Sequence, residues 1–237
     1  MNRFKKSFII MNKELASFFT TPVAYIVITI FLVITGWFFF STFFLYGQAE
    51  LRAFFQLLPI IFSFVIPAIT MRLFSEEENS GSLEILMTLP LKTFDVVVGK
   101  FLASTVFIII MLIPTLVYAF SISFVGSLDY GPVLGGYFGA VLLGGAYSAV
   151  GLFASSITKN QIVAFMIALV ICLMLTLLDK FLFFLPASIL GFVEYLGADF
   201  HFRNISRGII DSRDLIYFLS VMIIGILVTI QILEERR

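Results

Sequence analysis

Long apolar runs separated by short polar ones dominate the chain. They cover about 23–45, 53–72, 100–124, 133–155, 162–178 and 215–233. A membrane helix needs about 20 residues at 1.5 Å each to cross a hydrocarbon core of about 30 Å. The pattern therefore predicts six transmembrane helices. Tyr25 and Tyr46 bracket the first run as interfacial aromatics. Pro59 and Pro67 fall inside the second run and Pro114 inside the third, where a missing N–H predicts kinks.

Ahead of the first run, Phe4, Phe8, Met11, Leu15 and Phe18 recur at steps of four and three, with Arg3, Lys5, Lys6 and Lys13 off the stripe. This predicts an amphipathic helix over 3–20, lying in the membrane interface or packed on protein. Residues 179–214 hold two apolar pieces too short to span, interrupted by Pro186 and Gly191. They read as re-entrant or interfacial helices, or as a small folded cap. In the fourth run, Gly136, Ala140, Gly144 and Ser148 recur every four residues and form a smooth ridge. Such a ridge lets another helix approach closely, in the same subunit or in a second one.

Composition sharpens this reading. Of 237 residues, 60% are apolar and 13% charged, against about 45–50% and 25% in ordinary globular chains. Too few polar residues remain to coat a soluble core. The fold class expected is an all-α integral membrane protein, one transmembrane domain over 1–237. The charged first 19 residues and the length of the first apolar run do not fit a cleaved signal peptide. Six spans put both termini on one side. That side collects ten Lys and Arg (Arg3, Lys5, Lys6, Lys13, Arg72, Lys92, Lys100, Lys159, Arg236, Arg237). The other has five (Arg52, Lys180, Arg203, Arg207, Arg213). The excess predicts cytoplasmic termini.

Several chemistries are excluded. Net charge is zero and no basic run occurs, so no nucleic-acid partner is expected. Cys172 is the sole cysteine and His201 the sole histidine, which rules out disulfide frameworks and the usual zinc motifs. The centres of the six runs carry no Asp, Glu, Lys, Arg or His, unlike ion-coupled carriers. No H-E-x-x-H, G-x-S-x-G or P-loop is present. The expectation is no catalytic residue, cofactor or metal in this chain. Any ATP is bound by another.

Polar residues 75–95 carry the strongest signal. Glu76, Glu77 and Glu78 follow Arg72 at the membrane exit. Gly81 can break the helix, Ser82 can cap a second one over 83–89, and Pro90 ends it. Leu83, Leu86, Met87 and Leu89 leave that short helix partly apolar, which calls for a partner. The three carboxylates offer ion pairs to that partner's Lys or Arg. A solvated turn joining two spans is the plainer reading. Beyond the fifth run, Arg207 and Asp211 are four apart and pair if they share a helix. With Arg203 they mark a structural pair or an outer contact for a substrate or partner.

The series Glu77-x-x-x-Gly81-Ser82-Leu83-Glu84-x-Leu86-x-x-x-Pro90, continued by residues 91–100, resembles the signature of ABC-2 type permeases. The six spans, N-terminal helix and broken outer segment resemble that family too. Phe200 to Leu219 is similar to the outer segment of gliding-motility (Gld F type) permeases of Bacteroidetes. The resemblance implies a half-transporter of export type in a bacterial inner membrane. Two permease chains, identical or different, form the pathway. Each docks a separate ATP-binding subunit that holds ATP and Mg. By analogy, Ser82 to Leu89, with Glu84 and Pro90, is the coupling helix, supported by Glu76–Glu78. An accessory membrane protein with a periplasmic domain is also implied. The alternative is a mechanical or assembly scaffold, driven by the ATPase and transporting nothing.

Overall fold

The computed structural model describes residues 3–46, 51–82, 91–125, 129–180, 191 and 194–235. Helices α1 (Arg3–Thr20) and α2 (Pro22–Tyr46) come first. Helix α3 (Arg52–Thr70) passes directly into α4 (Arg72–Asn79), because Met71 between them keeps helical dihedrals (φ −52°, ψ −32°). Helix α5 (Thr93–Leu112) leads through a 3-10 turn at Ile113–Thr115 into α6 (Leu116–Val125). Then follow α7 (Tyr130–Ile157), α8 (Gln161–Leu177), α9 (Ala198–Ser206) and α10 (Ser212–Glu235). No strand occurs among the described residues. Among the described residues, six stretches are long and apolar enough to cross a membrane: Pro22–Phe43, Arg52–Asn79, Thr93–Phe124, Tyr130–Ile157, Gln161–Lys180 and Ser212–Glu235.

Local chemistry sets the boundaries. Asp129 and Asn160 cap α7 and α8, accepting hydrogen bonds from the Gly131 and Ile162 amides at 3.2 and 2.9 Å. Pro114 cannot donate to the preceding turn, and the helix tightens to 3-10 there. The Thr115 hydroxyl donates to the Leu112 carbonyl at 2.6 Å. Pro59 and Pro67, by contrast, lie inside α3, which stays α-helical across both.

Helix α7 is the axis of the fold. Helices α3, α4, α5, α8, α9 and α10 all pack on it. Its small residues make this possible. A Cβ on Gly144 would sit 2.9 Å from Ile108 on α5. One on Gly136 would collide with the Phe55 ring of α3, and one on Gly151 with the Thr70 hydroxyl. Ala140 and Ser148 on the same ridge are fully buried. All these contacts are within the chain. Helices α2, α8 and α10 ring the outside. Trp37, Ile162, Met174 and Ile216 stand exposed on them, as apolar side chains facing lipid do.

Helix α1 differs from its simplest sequence reading. Met11 and Phe18 of the stripe enter a core with Leu73, Phe74, Val97, Phe107 and Leu152, while Phe8 stays exposed. Gly99 of α5 admits the helix, since a Cβ there would lie 2.8 Å from Ile10. Leu15 packs against the same core, so part of the stripe meets protein, in line with the packed-on-protein alternative.

Candidate functional site

Glu76, Glu77 and Glu78 lie on the helical extension of the second span rather than in a turn. Consecutive helical residues point about 100° apart, so the three carboxylates fan out to three cations. Glu76 Oε2 is 3.3 Å from Arg72 Nε, one turn back. Glu77 Oε1 is 2.9 Å from Lys100 Nζ on α5. Glu78 Oε1 is 3.8 Å from Lys159 Nζ, between α7 and α8. The carboxylates expected to pair with a partner's cations are therefore engaged within the chain. Of the three, Glu76 is the most exposed.

Lys100 is the most buried of these cations, with 1% of its side chain exposed. Its ammonium donates to the Leu73 carbonyl at 2.7 Å and forms ion pairs with Glu77 Oε1 at 2.9 Å and Glu14 Oε1 at 3.2 Å. The Phe74 ring centroid lies 5.1 Å from Nζ. Helix α5 starts at Thr93, so Lys100 lies about two turns into it, and the pairing lets its charge sit inside the protein. In the sequence, Lys100 figures as a topological charge and as the end of the family-like stretch 91–100, and Glu14 does not figure at all. A signal existed: a Lys inside a helix that enters a membrane needs an anion.

Beside Lys100 runs a polar cleft of about 210 Å³, lined by Lys13, Glu14, Arg72, Glu76, Glu77, Ser82 and others. Arg72 also donates to the Thr21 hydroxyl at 3.3 Å. Helix α4 stops where Gly81 takes φ +72°, a left-handed conformation that glycine adopts without strain. The Ser82 hydroxyl lies 2.9 Å from that of Ser80 and donates to the Glu77 carbonyl at 3.3 Å. Leu83, Glu84, Leu86 and Pro90, and the short helix expected over 83–89, lie outside the described residues.

The end opposite the termini corrects one expected pair. Arg207 and Asp211 do not share a helix. Helix α9 ends at Ser206, and Gly208 turns the chain at φ +84°. Asp211 instead accepts from the Arg213 amide at 3.0 Å ahead of α10. That hydrogen bond holds its carboxyl below the usual range. Arg203 takes the role assigned to the pair. It binds Asp179 at the end of α8 and lies 3.4 Å from Asp199, one turn back. Lys180 adds contacts to Asp179 at 3.3 Å and Asp199 at 3.1 Å. Burial pushes the Asp199 carboxyl up, against the pull of Arg203 and Lys180.

His201 was missed as a site residue. It is fully buried, its Nδ1 hydrogen-bonded to Asp214 Oδ1 at 2.6 Å and its Nε2 to the Tyr195 carbonyl at 2.8 Å. The Tyr217 ring stacks on it at 4.1 Å. Helix α9 is thus tied to the ends of both α8 and α10. Asp214 is 13 residues away across the turn, a spacing with no helical or strand period to betray it.

Among the described residues, no group of His, Cys, Asp and Glu is arranged to hold a metal. No curated protein matches the chain. A family model described as ABC-2 family transporter protein matches residues 8–216. That stretch includes α7, the Lys100 cluster and most of the opposite cap. The chain is a multi-pass membrane protein that belongs to the ABC-2 transporter family.

Proposed function

We propose that this permease subunit works in an ATP-driven exporter and that its segment 75–95 docks a separate ATP-binding subunit. The supporting observation is how that segment begins. Its first residues belong to α4, an unbroken extension of the second span, whose carboxylates reach Lys100 on the third span and Lys159 in the α7–α8 turn. A load applied to α4 acts on the second and third spans and on the turn between the fourth and fifth. ATP and Mg reside in the partner. A second permease chain completes the pathway, and both termini face the cytoplasm of a bacterial inner membrane. ATP-driven closure favours one permease state because the docked subunit binds the two states unequally. The likeness of residues 200–219 to gliding-motility permeases supports that branch, with an accessory protein bearing a periplasmic domain.

The test is purification of the tagged chain from native membranes in mild detergent, with mass spectrometry of its companions. A stoichiometric soluble chain with a P-loop is expected, and Leu86→Asp should lose it while the permease still accumulates. Absence of any such chain sinks the docking reading. ATP-dependent flux of a candidate solute or lipid in sealed vesicles separates an exporter from a scaffold that transports nothing.

A further inference from the structure

The groups around Lys100 come from three elements remote in sequence: Glu14 on α1, Leu73 and Glu77 on α4, and Lys100 on α5. Helices α1 and α5 pack closely, but α1 and α4 face each other across the polar cleft. An ammonium bound to acceptors on both sides spans that gap. Among the described residues, the second oxygen of Glu77 is buried without a hydrogen-bond partner, so Lys100 is what holds this carboxylate. Two carboxylates converge on one buried ammonium. Loss of either leaves the other as counter-charge, and the cluster opens without stranding a bare charge.

We infer that Lys100 is a positioning residue that clamps α1 and α4 to α5, so that a push on segment 75–95 reaches the N-terminal helix and the third span together. This rests on the docking reading above. Without the Glu77 contact, Arg72 to Thr21 remains as a hydrogen bond from α4 toward α1. It ends at the α1–α2 junction and does not reach α5. The apolar core shared by Met11, Phe18, Leu73, Phe74 and Val97 and the Lys100 contact to Leu73 also join these helices, and the ion pairs of Glu77 and Glu14 to Lys100 close the clamp across the cleft.

The experiment uses the full chain in lipid nanodiscs, with Cys172→Ser and spin labels at Asn12 on α1 and Asn79 on α4, both exposed. Label separation is read by electron paramagnetic resonance, first in the chain alone and then with its ATP-binding subunit, with and without ATP. In the otherwise unaltered chain, one narrow separation is expected in every state. Glu77→Ala should broaden it, and ATP should then add a second, longer population. Glu77→Gln, which keeps an acceptor for Lys100, should restore the narrow separation. An unchanged separation in Glu77→Ala overturns the clamp, as does an ATP-driven change with Glu77 in place. If no ATP-binding subunit associates with the unaltered chain, the docking reading fails alone. The nucleotide-free comparison then still decides the clamp: broadening in Glu77→Ala upholds it, and no change overturns it.

Discussion

Lys100 Nζ, at the end of a buried side chain, lies 2.9 Å from Glu77 Oε1 and 3.2 Å from Glu14 Oε1. Removing one partner of a buried ion pair costs about 3–5 kcal/mol, because the remaining charge stays desolvated. Lys100→Met keeps the stem and strands two carboxylates. It should lower the thermal midpoint sharply. A thiol-reactive dye reports this directly, since Cys172 is the only thiol and is buried until the helices separate.

Gly151 on α7 touches Thr70 so closely that a Cβ would overlap its hydroxyl. Gly151→Ala forces the helices apart and should cost about 1–3 kcal/mol, as overpacking does. Thr70→Ala, combined with it, should recover part of the loss. A double-mutant cycle in the same dye assay measures that coupling; strict additivity would show that the two residues do not meet.

Arg203 and Arg207 are four residues apart in the chain but have different surroundings. Arg203 pairs with Asp179 and Asp199, whose side chains are nearly buried. Arg203→Ala leaves those carboxylates short of a partner and should destabilise by about 1–3 kcal/mol. Arg207→Ala, at an exposed position past the helix end, should stay within about 0.5 kcal/mol of the unaltered chain. Equal effects of the two substitutions would contradict the assignment.

Asp199 binds its proton more tightly in the fold than in the unfolded chain, because burial outweighs Arg203 and Lys180. Its stabilising contribution is full below the ordinary carboxylate range and fades as pH climbs through the raised folded value. Asp199→Asn removes that titration. The melting temperature of the unaltered chain, relative to Asp199→Asn, should therefore fall as pH rises above the ordinary carboxylate value of about 4. A difference independent of pH would mean that the carboxyl does not titrate in that range.

The six spans were legible because apolar runs longer than a bilayer core have few alternatives, and their ends carry ordinary caps such as Asp129 and Asn160. The small ridge of α7 was legible too, since four-residue spacing fixes which side chains share a face. What such local patterns miss is any pairing across elements. Arg207 and Asp211 have the right spacing, yet Gly208 turns the chain between them. Lys100 looked like a charge at the membrane edge, although its counter-ions lie 86 residues earlier and 23 residues earlier in the chain.

By itself, then, the sequence determined the all-helical membrane class, the number of spans, the exclusion of familiar catalytic motifs and the family signature in 77–90. Those features rest on hydrophobic length, helical period and residue order, which are properties of short stretches. Only the tertiary structure decided where the charges go. It brought Glu77 and Glu78 to Lys100 and Lys159, and it closed Arg203 onto Asp179 and His201 onto Asp214. A buried charge takes whichever counter-charge packing brings within hydrogen-bond reach, and packing is set by the whole bundle around α7.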